Sequence, residues 1–195
     1  MLVSDRRRLK GRSLPELAAE AASAGVDWLQ IREKDLAARE LLRLVRSVMD
    51  AVAGRCGVLV NSRPDVAEAA GCAGVQLPEA GLPVRDVRRG FPRLRLGASC
   101  HSLEAARHAA AEGADFVLLG PVFETPGKEH RALGVEALAR VVRGVQVPVY
   151  AIGGVDVSTA PRAVAAGACG LAAIGVFHRG SLARTVRRLR LGAAE

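Results

Sequence analysis

The sequence contains few aromatic residues and no long apolar run, and both absences exclude classes of protein. Aromatic side chains make up 3% of the 195 residues. A protein that binds single-stranded nucleic acid needs aromatic rings on which bases stack, so the formal charge of +8 does not indicate nucleic-acid binding. No run of about 18 apolar residues occurs, and the charged segment 1–13 differs from a signal peptide. We therefore expect a cytoplasmic protein with no nucleic-acid or membrane partner.

Cysteine is also scarce, with four residues and no CxxC pair. Cys56, Cys72, Cys100 and Cys169 each lie among small apolar residues. This context is typical of reduced thiols in a protein interior and argues against disulfides or a cysteine-based metal site. We predict four buried free thiols.

Short β-branched runs alternate with longer Ala-, Leu- and Arg-rich segments of helical spacing along the whole chain. This alternation is typical of repeated βα units around a parallel sheet. Strands are predicted at residues 2–4, 28–31, 57–61, 74–77, 94–98, 115–120, 147–153 and 170–175. Helices are predicted at residues 13–24, 36–53, 64–70, 84–89, 102–112, 135–142, 158–166 and 181–191.

Eight strands and eight helices in one domain, residues 1–195, favour an α/β fold of the compact (β/α)8 TIM-barrel type. The alternative is an open flavodoxin-like sheet. It is less favoured because no GxGxxG motif follows the first strand and because polar residues follow many different strands.

In a barrel of this kind the chemistry lies at the carboxyl ends of the strands. After the second strand, Arg32 and Lys34 are two positions apart and so lie on one side, where they can clamp a phosphate. A solvated loop with an ion pair to Glu33 is an equally good interpretation. Asn61 ends the third strand, and we take it with Arg32 and Lys34 as a candidate binding residue.

Polar residues also follow the fifth and sixth strands. Ser99 and His101 follow the fifth, where His101 is either a functional group or part of a helix cap beside Ser102. The sixth strand ends in GPVFETPGK, which carries Thr125 and Lys128. A plain turn needs only the glycine and the prolines, so Thr125 and Lys128 indicate a bound anion.

Glycine-rich tips follow the seventh and eighth strands. Gly153 and Gly154 let backbone N–H groups approach a ligand, and Gly175 does the same after the eighth strand. Barrels commonly hold a phosphate at this position. A second anion site across the mouth would hold another phosphorylated group, and its candidate residues are Arg32, Lys34, Ser99, Thr125 and Lys128.

The motifs QIREKD, GVQLP, LGASCHS, GPVFETPGK, VPVYAIGGV and GLAAIGVF, in this order, resemble the thiamine phosphate synthase and TenI family over nearly the whole chain. The resemblance implies a (β/α)8 barrel, usually a homodimer, that acts on a phosphorylated thiazole in thiamine biosynthesis. It implies that the thiazole phosphate is held by Gly153, Gly154, Ile174 and Gly175. It also implies that the pyrimidine substrate and its pyrophosphate are held by Arg32, Lys34, Asn61, Ser99, Thr125 and Lys128.

The synthase branch of that family needs Mg²⁺ on the departing pyrophosphate, and carboxylates hold such a hard cation. At the two positions where the synthase has aspartates, this chain has Ser62 and Gly81. Asp65 and Glu79 are possible substitutes, but neither is at a matching position. We therefore expect no metal site, and Mg²⁺ would be required only if the chain is a synthase.

The TenI branch aromatises a thiazole carboxylate phosphate tautomer by proton transfer, without a cofactor. Several motifs look closer to this branch, although Pro121 stands where its catalytic His is expected. His101 is the first candidate for the proton transfer, followed by Glu124 and Lys128. We expect a tautomerase-like isomerase first, a thiamine phosphate synthase second and a non-catalytic thiazole phosphate binder third.

Overall fold

The computed structural model describes residues 1–125 and 132–191, in which eight parallel strands follow one another in sequential order. An isolated bridge between Leu2 and Ala173 joins the last strand to the first, and the Val3 amide donates to the Ala173 carbonyl at 2.9 Å. The predicted barrel is confirmed. The strands are β1 Leu2–Val3, β2 Trp28–Ile31, β3 Gly57–Asn61, β4 Gly74–Leu77, β5 Arg95–Cys100, β6 Phe116–Leu119, β7 Val149–Ile152 and β8 Gly170–Ala172.

Helices follow the strands and cover the outside of the barrel. In the longest of those described, the apolar residues Leu41, Val45, Val48 and Val52 recur every three or four positions and are all buried. No helix within the described ranges has both the length and the apolar character that a membrane crossing requires. The helices are α1 Leu14–Ser23, α2 Ala38–Val52, α3 Pro64–Ala69, α4 Val84–Gly90, α5 Leu103–Ala111, α6 Gly134–Gly144, α7 Ala160–Ala165 and α8 Leu182–Leu191, with 3-10 turns at Arg6–Arg8 and Gly175–His178.

The strands contribute to two apolar layers. In β3, Val58 and Val60 belong to the cluster shared with the helices, whereas Leu59 belongs to a cluster confined to the strands and their flanking residues. Because side chains alternate across a strand, Leu59 faces the barrel interior, and so does Asn61 two residues later. The same alternation brings further polar residues to the inner face, among them Gln30, Arg32, Gln76 and Ser99.

Several strand ends differ from the predicted ones, and the differences at β5 and β8 affect the site. β5 continues to Cys100, so Ser99 lies within the strand and not in the loop after it. β8 is shorter than predicted, and the chain turns into a 3-10 segment at Gly175. The pairing stops because β7 ends at Ile152, which is in register with the last residue of β8, Ala172.

All four cysteines are free. Cys72 and Cys100 are buried, and burial raises the pKa of each thiol to about 12. Cys56 is only half-buried and Cys169 is exposed, so the prediction of four buried thiols is wrong at these two positions. Cys169 comes directly before β8, where its small neighbours give an apolar sequence pattern but provide no cover.

Candidate functional site

A cavity of about 490 Å³ opens at the carboxyl ends of β7 and β8. Gly153 and Gly154 after β7 and Ile174 and Gly175 after β8 all line it. We call this cavity the glycine cup. The structure thus brings together the four residues expected to hold the thiazole phosphate. The charged and hydroxyl side chains that also line the cup are Arg8, Glu124, Thr125, Asp156 and Arg179.

The backbone at Gly153 and Gly154 has a conformation that other residues rarely adopt, with φ of 91° and 62°. A Cβ atom on Gly153 would lie 2.5 Å from the Cα of Pro121, and one on Gly154 would collide with the Glu124 carbonyl. The loop after β6 therefore requires glycine at both positions, with or without a ligand. Loss of binding in a bulky Gly153 variant would not by itself identify a phosphate site.

The two glycines use their carbonyl groups within the protein. The Phe123 amide donates to the Gly153 carbonyl at 3.0 Å, and the Thr159 hydroxyl donates to the Gly154 carbonyl at 2.9 Å. Among residues 1–125 and 132–191, no carbonyl accepts a hydrogen bond from the Gly153 or Gly154 amide. Unpaired backbone N–H groups beside a cavity are suited to binding an anion.

Asp156 holds the loop that leads from the cup into α7. Its carboxylate accepts hydrogen bonds from the Ser158 hydroxyl at 2.6 Å and from the amides of Ser158 and Thr159 at 2.8 and 3.1 Å. These bonds, the Ser158 hydroxyl foremost, keep the pKa of the Asp156 carboxyl below its usual value. The negative charge of Asp156 is therefore directed at the start of α7, although the residue also lines the cup.

The segment after β6 brings Thr125 and Glu124 to the cup. The Thr125 hydroxyl donates to the Phe123 carbonyl at 3.3 Å, and Glu124 is exposed. Lys128, the cation predicted for this segment, lies outside the described residues.

Two arginines at the cup were not selected from the sequence. Arg8 belongs to the 3-10 turn after β1, and Arg179 directly follows the 3-10 turn after β8. The basic run from Arg6 to Arg8 is visible in the sequence as a local concentration of charge. Its position beside Gly175 depends on barrel closure, which no local pattern reveals.

The ends of β2 and β3 carry Arg32, Lys34 and Asn61, which we call the cationic edge. A second cavity, of about 290 Å³, is lined by the polar residues Glu33, Lys34, Asn61, Ser62 and Arg63, whereas Arg32 is not part of its lining. Arg32 and Lys34 are exposed, and neither forms an ion pair with any residue in the described ranges. Both cations can therefore meet an anionic ligand.

Glu33, between these two cations, is only 7% exposed. It accepts hydrogen bonds from the Ser4 hydroxyl at 2.6 Å and from the Arg6 amide at 3.1 Å. The alternative interpretation, an ion pair of Glu33 with Arg32 or Lys34, is wrong because the carboxylate turns toward the loop after β1.

Ser99 lies on the inner face of β5, beneath the mouth. The side-chain amide of Gln76 donates to its hydroxyl at 2.9 Å. Gln76 is fully buried, and its Oε1 atom accepts no hydrogen bond from the described residues. Gln76 was not among the residues predicted from the sequence, although a polar residue at an inward position of the apolar strand GVQL was an available signal.

His101 lies away from the glycine cup. Its Nδ1 atom is 2.5 Å from Oε2 of Glu79, and its side chain is 60% exposed. It lines a surface cavity between α5 and α6, which also includes Arg140. The structure therefore does not bring this proton-transfer candidate to Gly153 and Gly154.

A family model for thiamine monophosphate synthase matches residues 1–177. The chain belongs to the thiamine monophosphate synthase family. A thiamine-phosphate synthase of Methanoculleus marisnigri is 40% identical over 195 residues, covering 97% of this chain and 92% of that protein. A Geobacter sulfurreducens protein, provisionally named a thiamine-phosphate synthase, is 42% identical over 179 residues, covering 89% of this chain and 83% of that protein. The structure of a thiamine phosphate pyrophosphorylase from Pyrococcus furiosus is 32% identical with a TM-score of 0.90, covering 99% of this chain and 94% of that chain.

In this member of the thiamine monophosphate synthase family, the residues at the ends of β3 and β4 do not fit a Mg²⁺ ion. Arg63 Nε donates to the Asp65 carboxylate at 2.8 Å, and Glu79 pairs with His101. In the part of the chain that the structure describes, no three His, Cys, Asp or Glu side chains are grouped so as to hold a metal. Both substitute carboxylates are therefore paired with other side chains and are not grouped with further metal ligands.

Proposed function

We propose that this member of the thiamine monophosphate synthase family joins a pyrimidine methyl pyrophosphate to a thiazole phosphate. The names of the Methanoculleus and Pyrococcus relatives favour this reaction over tautomerisation. One observation carries the proposal: at the carboxyl ends of one barrel lie a cup with two unpaired backbone amides and two exposed cations, Arg32 and Lys34, that form no ion pair with the described residues. Each region has the chemistry that one phosphorylated substrate requires.

In the proposed reaction the thiazole phosphate binds in the glycine cup, where the amides of Gly153 and Gly154 donate to its oxygens. The pyrophosphate of the second substrate lies beside Arg32 and Lys34. The C–O bond to the pyrophosphate breaks and the pyrophosphate leaves with the electron pair, while the thiazole nitrogen supplies the pair for the new C–N bond. The two side-chain cations stabilise the charge that develops on the leaving group.

The test follows thiamine phosphate and pyrophosphate formed from both substrates, once with excess Mg²⁺ and once with EDTA. We expect product in both conditions, because side chains supply the positive charge. Lys34→Ala should slow the reaction roughly 10-fold, about 1.4 kcal/mol of transition-state stabilisation. Arg187→Ala on α8 removes the same charge far from the mouth and should have no effect.

The outcomes separate the two parts of this proposal. Absence of product in both conditions would contradict the reaction itself. Product with Mg²⁺ but none with EDTA would leave the reaction standing and overturn the metal-free stabilisation of pyrophosphate.

A thiazole tautomerase is the second candidate, because Glu124, a group able to carry a proton, lines the glycine cup. The test is faster aromatisation of the thiazole carboxylate phosphate tautomer in EDTA. Glu124→Gln should slow it by roughly 10²- to 10⁴-fold, the usual contribution of an acid–base group, whereas His101→Ala should not. Tight binding of the phosphate with no turnover of either substrate would instead support a non-catalytic binder.

A further inference from the structure

The glycine cup lies between two arginines that come from loops on either side of the barrel closure. Arg8 follows β1 and Arg179 follows β8, and both line the same cavity as Gly153, Gly154 and Gly175. The bridge between the first and last strands brings these two loops together. The cavity therefore combines backbone donors with two guanidinium groups.

Arg8 is held in place from one side. Its Nε atom donates to the Asp5 carboxylate at 3.0 Å, and Asp5 itself accepts from the Arg7 amide at 3.3 Å. This contact orients the guanidinium and leaves its two Nη groups for another acceptor. Nη1 is 4.0 Å from the place that a Cβ atom on Gly175 would occupy. The guanidinium therefore reaches the part of the cup that β8 supplies.

The charged side chains that line the cup are two cations, Arg8 and Arg179, and two carboxylates, Glu124 and Asp156. The Asp156 carboxylate already accepts four hydrogen bonds from Ser158 and Thr159. Arg179 forms no ion pair with any residue that the structure describes. A guanidinium presents parallel N–H donors that match two oxygens of a phosphate, a geometry that a neutral alcohol cannot use.

We propose that Arg8 is a specificity residue that clamps the phosphate of the cup ligand, with Arg179 facing the same anion and Asp5 positioning the Arg8 guanidinium. This inference rests on the proposed function, because it takes the glycine cup to be the phosphate site. It adds that recognition of the phosphoester over its alcohol depends on side chains from the closing loops.

The experiment compares the binding of thiazole phosphate and of its dephosphorylated alcohol by titration calorimetry. Arg8→Ala should weaken binding of the phosphate on the order of 10- to 100-fold, as expected for a charge-assisted bidentate contact, and leave binding of the alcohol unchanged. Arg8→Lys should keep part of the affinity because the charge remains while the paired geometry is lost. Asp5→Asn should cause a smaller loss than Arg8→Ala.

Arg7→Ala is the matched control. Arg7 is the preceding residue of the same 3-10 turn, its side chain is 77% exposed, and it pairs with Asp35 instead of lining the cup. The Arg7→Ala substitution removes one charge from the same loop, and its effect on phosphate binding should stay below about 2-fold because that charge is exposed to solvent. Equal losses in Arg7→Ala and Arg8→Ala, with a wild type that prefers the phosphate, would overturn the Arg8 clamp alone. A wild type that binds phosphate no better than alcohol would overturn the phosphate cup as well.

Discussion

The glycine cup and the cationic edge lie at the same end of the barrel but are built from different parts of the chain. In the cup, the donors include backbone amides held by the positive φ of Gly153 and Gly154 and by contact with Pro121, beside the guanidinium groups of Arg8 and Arg179. At the edge, the available groups are the ends of two long exposed side chains, Arg32 and Lys34. A backbone site keeps its geometry without a ligand, whereas long side chains lose rotamer freedom when they bind.

This difference predicts different roles for the two regions in binding a phosphate. The cup should determine where a phosphate lies, and its variants should alter folding as well as binding. The edge should supply attraction, and its variants should alter binding alone, in a way that depends on salt. The following predictions test that division.

The largest effect is expected from Gly153→Ala. It adds a clash with Pro121 to the cost of a positive φ, so the free energy of unfolding should fall by about 2–4 kcal/mol. Gly25→Ala is the matched control, since Gly25 has φ of 87° and no atom within 4 Å of its Cβ position. That variant should lose only about 1–2 kcal/mol. Equal losses in urea unfolding would show that the loop after β6 does not constrain the cup.

The edge should respond to salt more strongly than the cup. Pyrophosphate binding should weaken about 10-fold in Lys34→Ala at low ionic strength, and the difference from wild type should shrink near 1 M salt, where the screening length is about 3 Å. Thiazole phosphate binding should weaken less over the same range, because neutral amides supply two of its donors in addition to the guanidinium groups of Arg8 and Arg179. Titration calorimetry at several salt concentrations measures both slopes, and identical slopes would contradict the division between the regions.

A smaller effect on stability is expected from Asp156→Ala, about 1 kcal/mol from lost hydrogen bonds at the start of α7. Because the native pKa of this carboxyl is lowered, its contribution is complete above the ordinary value of 3.8 and is lost as pH falls below it. Urea unfolding of variant and wild type should therefore converge in acid. Asp156→Asn, which keeps one acceptor oxygen, should retain part of the stability that Asp156→Ala loses. If the loss in Asp156→Ala did not depend on pH, the charged carboxylate would not be its cause.

The smallest predicted change is in His178, a half-buried residue at the end of the 3-10 turn after β8. Burial first, then Arg12 and Arg8, lower its pKa, against an opposing effect of Asp5. Arg8→Ala should raise the pKa of His178, whereas Arg7→Ala should leave it unchanged. An NMR titration of the imidazole, assigned with His178→Gln, measures the pKa in both variants. An unchanged pKa in Arg8→Ala would show that the Arg8 charge lies too far from the end of β8 to act on His178.

Much of the barrel follows from short-range pattern. The apolar alternation around Leu59 and the helical spacing in α2 predict the right elements, because burial requires the same period locally and in the fold. Gly153 and Gly154 were predicted to hold a phosphate from the conformational freedom of paired glycines and from their place after the seventh strand, since phosphate sites favour the tips of the last two strands of a barrel. The ends of the strands were predicted less accurately, because a strand ends where its pairing with the neighbouring strand stops.

The sequence by itself determined the order of the strands, the glycine tips and the placing of Arg32, Lys34 and Asn61 at strand ends, since each depends on residues close together in the chain. Only the tertiary structure decided that Glu33 turns to Ser4, 29 residues away, and that His101 pairs with Glu79, 22 residues away. It alone brought Arg8 to the cup beside Gly175. These contacts form when the barrel closes. A local sequence pattern does not show which charged or hydrogen-bonding groups then become neighbours.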